Sequence, residues 1–410
     1  MGYISIVKIP LASLGFTESD IEAAIDVLRT GELTIGKKVA EFEMAMAEYL
    51  KVKHFIMVNS GSSANLAIIE SLVRPSSGEP LLPTGSRVIV PAIAWPTTVW
   101  PIIQLGLEPV FVDIDQRTLG LDLKEVRKVL EKDRSIKALM IIHPLGLCLD
   151  GEELKKLCED FGLILLEDNC ESLGSAFNGE MAGTLGKAGS FSFYFSHHLT
   201  TMEGGGIATN DFEVAQDLQS IRSHGWSRNR TDHKKWELEN PEIDSRFMFV
   251  SAGYNIRPME IQAAIGLSQL KRLPENIQRR QEIARYIHNE IKDSKFELIG
   301  HEYLKSDEEL NRHTWMLLSI RATDSNLKDL KSYMRSLENL EIDTRPPLTG
   351  NFTKQPALKK LLPTLGLGNN YPVADKISGS TFLVACHHDL TDAQVEFLGQ
   401  SLKLIQKKNF

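Results

Sequence analysis

Ser190-Phe-Ser-Phe-Tyr-Phe-Ser-His197-His198-Leu-Thr-Thr-Met-Glu203-Gly-Gly-Gly206 is the stretch on which the reading of this chain turns. It predicts a strand over Ser190–Phe195, a second over Gly205–Thr209, and two imidazoles between them. An imidazole moves protons near neutral pH but forms no stable imine with an aldehyde. Working outward, further short apolar runs fall at His54–Val58, Arg87–Pro91, Pro109–Ile114, Ala138–His143 and Leu163–Glu167. They alternate with helical stretches at Ser63–Val73, Thr97–Leu105, Leu123–Lys132 and Gly151–Phe161. That alternation predicts an α/β fold with a mostly parallel mixed sheet, and the continuous apolar character of the strands predicts burial on both faces.

The chain opens on Thr17-Glu-Ser-Asp20, which resembles a capping box ahead of the helical face Ile21, Ala24, Ile25 and Leu28; Gly31 ends that helix. After Arg272 the pattern changes. A long polar-faced helix over Leu273–Lys292 leads to a strand at Trp315–Arg321, a helix near Asn326–Leu337, a short strand near Glu341–Thr344 and a last helix from Thr391 to Gln406. The expected division is a large domain over 1–272 and a small α+β domain over 273–410. The polar, charged segment Arg228–Asp244 reads as a solvated loop, with a lid over the site as the alternative.

Composition narrows the function classes. The 410 residues are 42% hydrophobic and 24% charged with a formal net charge of −8, which implies no general nucleic-acid surface. No apolar run is long enough to span a membrane, and the first ten residues lack signal-peptide features, so a cytoplasmic protein is expected. Cys148, Cys158, Cys170 and Cys386 include no C-x-x-C pair. A disulfide framework is not expected and no metal site is assigned, although four thiols leave an iron–sulfur reading open.

Three segments carry chemistry. Asn59-Ser60-Gly61-Ser62-Ser63-Ala64-Asn65 follows a strand and opens a helix, where N–H groups and hydroxyls suit a phosphate dianion; the same residues also make an ordinary turn and helix cap. Trp95, just past the next strand, can stack on a pyridine ring or fill a core. Asp168, at the end of Leu163-Ile-Leu-Leu-Glu-Asp168, can pair with a pyridinium nitrogen, cap a helix or bind a metal.

Taken in order with Gly183-Thr-Leu-Gly186, Arg222-Ser-His-Gly225 and Gly253-Tyr-Asn-Ile-Arg257, these segments resemble the DegT/DnrJ/EryC1/StrS family of nucleotide-sugar enzymes that use pyridoxal 5'-phosphate (PLP). The resemblance implies the aspartate-aminotransferase-like fold type I, with the larger domain holding PLP. It implies that Gly61, Ser62 and Ser192 bind the cofactor phosphate. Trp95 and Asp168 would meet the ring, and Glu171, where many aminotransferases of this type carry glutamine, the ring oxygen or the amine. Asn255 would reach the phosphate of a neighbouring subunit, so a homodimer with shared sites is expected.

The family pattern reads S-F-x-x-x-K-N-x-x-x-x-E-G-G. Here His197 stands at the lysine and His198 at the asparagine. This is similar to a dehydratase branch of the family. It implies PLP and pyridoxamine phosphate (PMP) held without a covalent tether, L-glutamate as amino donor, and His197 as general acid and base. The reaction implied is C3 deoxygenation of a nucleotide-linked 4-keto-6-deoxyhexose, with GDP as the expected nucleotide. Colitose or another 3,6-dideoxyhexose of a surface polysaccharide such as O-antigen is the implied product. His224, Arg345 and His387 are candidate substrate contacts. The alternatives are an iron–sulfur-dependent CDP- or TDP-sugar 3-dehydrase, a non-catalytic PLP-binding regulator, and transamination through another lysine such as Lys187.

Overall fold

The protein is described by a computed structural model over residues 8–323, 327–361 and 370–406. Its strands in chain order are β1 (His54–Val58), β2 (Arg87–Pro91), β3 (Glu108–Val112), β4 (Ile136–Ile142), β5 (Ile164–Asp168), the hairpin β6 (Ala176–Phe177) and β7 (Glu180–Met181), β8 (Ala188–Ser192), β9 (Gly205–Thr209), β10 (Phe296–Leu298), β11 (Leu318–Ala322) and β12 (Thr381–Val384). Seven of them form one sheet in the order β1-β9-β8-β5-β4-β2-β3. The pairs from β8 through β3 are parallel, while β9 runs antiparallel to both β8 and β1. The sheet is therefore mixed and mostly parallel, as expected. Its strands are apolar throughout because both faces are covered. One face packs on helices Gly61–Val73 and Phe212–Ile221, and Leu139, Ile141 and Leu165 lie against Leu154 and Leu157 on the other.

The strand that leads to His197 is shorter than its composition suggests. Pairing of β8 with β9 ends at Ser192–Gly205, and Phe193 then bonds through its backbone to Gly204 and Thr201 before the chain turns. His197 N donates to Tyr194 O at 3.0 Å, so the two imidazoles sit on a turn rather than on a strand. Phe191 and Phe193 anchor that turn. Both are buried, and Phe193 meets Phe42 edge-on at 5.4 Å. Each such ring contributes about 1.5–3 kcal/mol by leaving water.

The second sheet is β10-β11-β12, all antiparallel. The short strand expected near Glu341–Thr344 is not a ladder. Ile342 bridges only to Ile9, and Arg345 only to Leu383. The third position in the sheet belongs instead to Thr381–Val384, an apolar run that directly follows helix Pro372–Ser380 without a turn residue to mark it. Ile9 packs in the core of this sheet with Ile283, Trp315 and Leu402, whereas Phe352 and Leu358 join the core of the large sheet.

The segment Arg228–Asp244 is not simply a solvated loop. It contains the helix His233–Glu239, and the Arg230 guanidinium is buried between Asp217 at 3.0 Å and Asp232 at 2.7 Å. Asp20 likewise does more than cap its helix. It accepts from Thr17 N at 2.8 Å and also pairs with Arg272 at 2.7 Å, tying the first helix to the start of the long helix Leu273–Ile291. No helix among the described residues is long and apolar enough to cross a membrane.

Candidate active site

Parallel strands deliver their C-terminal ends to one edge of the sheet, and a cavity of about 310 Å³ opens there. It is lined by Gly61 and Ser62 after β1, Trp95 after β2, Asp168 and Glu171 after β5, and Ser192 and His197 after β8. Arg345, Met316 and Leu348 close it from the other side. The candidate residues that the structure brings together are thus Gly61, Ser62, Trp95, Asp168, Glu171, Ser192, His197 and Arg345.

Each wall has a local cause. Ser60 caps helix Gly61–Val73 by accepting from Ser63 N at 3.1 Å, and this puts the free N–H groups of the first turn at the cavity. A Cβ on Gly61 would lie 2.6 Å from Ser192 Cβ and 2.7 Å from Cys170 Sγ, so the approach of these segments requires glycine. Ser62 Oγ donates to Thr97 Oγ1 at 3.0 Å, joining this turn to the one after β2. Trp95 keeps 48% of its surface exposed beside that pair, which suits a ring-stacking face better than a core.

Asp168 is buried, and its carboxylate is held from three directions. Oδ2 accepts from Asn65 Nδ2 at 2.8 Å and Thr98 Oγ1 at 2.7 Å, and Oδ1 accepts from Cys170 N at 3.2 Å. The preceding Glu167 is a framework group. It accepts from Gly183 N at 2.8 Å and Gly186 N at 2.7 Å, which explains the Gly183–Gly186 motif, and lies 3.0 Å from His143 Nε2. His143 Nδ1 accepts from Leu149 N, so the Nε2 atom carries the proton toward Glu167.

Glu171 Oε2 accepts from Leu145 N at 2.9 Å, and Leu145 adopts φ 53° to present that N–H. Burial pushes the Glu171 carboxyl up to about 7, against the opposing pull of the Arg345 guanidinium. Between its ordinary value of 4.5 and 7, the folded protein therefore keeps a proton that the unfolded chain releases, and stability falls as pH rises through that window. Glu171→Gln retains an acceptor for Leu145 N and abolishes the titration. In the ligand-free protein its melting temperature relative to wild type should be higher at pH 8 than at pH 5, the slope being up to about 1.4 kcal/mol per pH unit. An offset that stays the same at both pH values would refute the assignment.

His197 is pushed down to about 3 by burial, then by the charges of Arg345 and Arg280, so at neutral pH the imidazole of the ligand-free protein is uncharged. Its Nδ1 is buried without a hydrogen-bond partner. His198 turns away and its Nε2 donates to Thr314 O at 3.1 Å, a structural role. No lysine is among the described residues lining the cavity. Lys187 lies at the opposite end of β8, paired with Asp211 at 2.5 Å.

Three candidates lie elsewhere. Asn255 is exposed outside this cavity, where its Oδ1 accepts from Arg257 Nε at 3.0 Å. His224 is exposed and meets Trp226 edge-on at 5.5 Å, away from the cavity walls. His387 is buried, 3.2 Å from Pro10 O, and lines a small chamber that His197 also borders, outside the lining of the larger cavity. Asn65, Thr97 and Thr98 carry no candidate role in the sequence reading, though Asn65 ends the first segment quoted above and Thr97 and Thr98 open the expected helix Thr97–Leu105. Among the described residues no group of three or more His, Cys, Asp or Glu side chains is placed to hold a metal. Cys158 and Cys386 belong to different hydrophobic cores, and Cys170 lines the cavity.

A helix start that a Cβ would block, an exposed indole and a buried carboxylate at neighbouring strand ends fit PLP: a phosphate, a ring face and a ring nitrogen each have a counterpart. Fold and site together define the class, an α/β protein of the PLP-dependent aminotransferase fold. The chain belongs to the DegT/DnrJ/EryC1/StrS aminotransferase family, whose model matches residues 16–403. It is 35% identical to the GDP-4-keto-6-deoxy-D-mannose 3-dehydratase of Escherichia coli O55:H7 over 97% of this chain and 100% of that one. Among solved structures it is similar to a GDP-4-keto-6-deoxymannose-3-dehydratase mutant with bound GDP-perosamine (33% identity, TM-score 0.86, covering 96% of this chain and 100% of that one). It is also similar to such an enzyme with a trapped PLP-glutamate geminal diamine (32% identity, TM-score 0.84, 96% and 100%).

Proposed function

We propose that this chain is a PLP/PMP-dependent 3-dehydratase that removes the C3 hydroxyl from a nucleotide-linked 4-keto-6-deoxyhexose, GDP-4-keto-6-deoxymannose being the substrate favoured by its relatives. The observation that carries the reading is His197, a neutral imidazole in a cavity that no lysine lines among the described residues and that is otherwise fitted to PLP. When bound, the cofactor supplies an electron sink and, after amination by L-glutamate, an amine for the sugar's C4 ketone.

The chain's own groups do the rest. Gly61, Ser62 and Ser192 hold the cofactor phosphate with the first-turn N–H groups of helix Gly61–Val73. Asp168, fixed by Asn65 and Thr98, pairs with the ring nitrogen, and Trp95 covers the ring. Glu171 meets the ring oxygen or the amine. Arg345 brings a positive charge into the cavity for an anionic group of the substrate. His197 takes a proton from the amine-bearing carbon and returns one to the departing C3 oxygen, so a single imidazole serves as base and then as acid. The products are a 4-keto-3,6-dideoxy sugar, ammonia and 2-oxoglutarate, the oxidation of L-glutamate supplying the two electrons that the loss of the C3 oxygen requires.

The unit we propose is a cytoplasmic homodimer built from domains 1–272 and 273–410. Asn255 is exposed and does not line its own cavity, which supports the reading that it serves the neighbouring site. His224, exposed near it, is assigned no substrate contact.

The test is a panel of GDP-, CDP- and TDP-linked 4-keto-6-deoxy sugars incubated with the protein, PLP and L-glutamate. Mass spectrometry should find loss of the C3 oxygen and release of 2-oxoglutarate, with activity undiminished by chelators. An amino-sugar product would mean transamination, and a requirement for iron and an external reductant would mean the iron–sulfur reading.

A further inference from the structure

His197 borders a second chamber of about 10 Å³, whose other walls include Arg280, His387 and His388. We infer that this chamber holds one ordered water, and that His387 and His388 act through it as positioning residues that set the orientation and tautomer of His197. The inference rests on the dehydratase reading only for its catalytic consequence.

The chamber is large enough for one water molecule. Four buried polar atoms on its wall residues lack a protein partner. His387 Nε2 lies 3.2 Å from Pro10 O, an oxygen that can only accept, so Nε2 carries the hydrogen and Nδ1 presents a lone pair. His388 Nε2 lies 3.6 Å from Asp389 Oδ1, beyond hydrogen-bond distance but where the carboxylate attracts a hydrogen on Nε2. The Nδ1 atoms of His387 and His388 are both buried without a partner. So is Nδ1 of His197. Arg280, 2% exposed, spends Nη1 on the carbonyls of Cys386 at 2.9 Å, Met316 at 3.0 Å and Trp315 at 3.3 Å, and its Nε is likewise buried without a partner.

One water satisfies this set. It donates its two hydrogens to the lone pairs of His387 and His388, and its oxygen accepts from His197 Nδ1–H and Arg280 Nε–H. A halide would face two lone pairs and gain nothing from them. With the hydrogen of His197 held on Nδ1, the basic lone pair is on Nε2, which is the protonation state a proton acceptor in the larger cavity needs.

Two substitutions separate this role from a merely structural one. His387→Gln keeps a donor for Pro10 O but has no acceptor where Nδ1 lies. His387→Asn keeps an acceptor near Nδ1 and gives up the Pro10 contact. The glutamine variant should lose about ten- to a hundredfold in kcat with KM for the sugar little changed, since a misplaced catalytic group costs rate rather than binding. The asparagine variant should recover most of that loss. The reverse order, or two variants equal to wild type, would overturn the inference by making Pro10 the contact that matters or His387 irrelevant.

A second readout needs no turnover. In PLP-loaded wild-type protein with 15N-labelled histidine, His197 should be protonated on Nδ1 and bare on Nε2. The opposite tautomer overturns the inference, as does an anomalous bromide peak in the chamber of bromide-soaked crystals. If the tautomer is as stated but no nucleotide sugar is converted, the dehydratase reading fails and the chamber stands.

Discussion

Replacing His197 with asparagine should lower C3 deoxygenation by about 10²–10⁴-fold, the usual contribution of a positioned proton-transfer group. Asparagine fills much of the imidazole's place without a nitrogen that can take up a proton, so the loss isolates proton transfer from packing. His197 supplies none of the hydrogen bonds that hold Asp168 or that cap the helix starting at Gly61. PLP affinity and its bound absorbance spectrum should therefore stay near wild type. The decisive measurement is single-turnover conversion of the preferred nucleotide sugar by PMP-loaded variant and wild type, with cofactor binding measured on the same samples. Unimpaired deoxygenation by the variant would remove His197 from the chemistry.

Asp168→Asn should be nearly as severe by a different route. The carboxylate is the negative charge at the β5 end that faces a protonated ring nitrogen, and an amide can hydrogen-bond there without stabilising that proton. Loss of one preorganised charge of this kind costs about 10²–10³-fold in rate. The substitution also disturbs the folded state. Asn65 Nδ2, Thr98 Oγ1 and Cys170 N all donate to the two carboxylate oxygens, and an asparagine has only one oxygen to offer. At least one buried donor loses its partner, which costs about 1–3 kcal/mol. The variant should accordingly melt below wild type, and the absorbance of its bound PLP should shift, reporting a deprotonated ring. A wild-type spectrum together with wild-type turnover would show that Asp168 does not contact the ring.

Much of this architecture is legible in the chain. His54–Val58, Arg87–Pro91 and Gly205–Thr209 are strands with the expected ends, since each is a short apolar run bounded by turn or charged residues. Helices Leu123–Lys132 and Gly151–Phe161 also begin where expected, because Asp122 and Asp150 cap them through Lys124 N, Glu125 N and Glu153 N. Thr381–Val384 forms a strand that no turn residue marks, and Glu341–Thr344 makes only an isolated bridge at Ile342, because a four-residue run becomes a strand only if a neighbour leaves it a free edge. The buried Arg230 in a charged stretch shows the same limit. Its two carboxylate partners decide its burial, and Asp217 comes from the helix Phe212–Ile221 before it.

Local sequence determined the chemical types at the ends of the strands: hydroxyls and glycine after β1, an indole after β2, a carboxylate after β5 and an imidazole where a lysine would form an imine. These follow from residue identity and from the apolar runs beside them, both properties of neighbours along the chain. Only tertiary structure decided which of these ends meet. The order β1-β9-β8-β5 carries Asn65 across two intervening strands to Asp168, and the small sheet brings Arg345 into the same cavity. It also brought His387, far along the chain, to the same small chamber as His197. The physical reason is that hydrogen bonds and buried charges act over a few ångströms of space, and strand order, which sets that space, depends on how whole faces pack rather than on the spacing of any one motif.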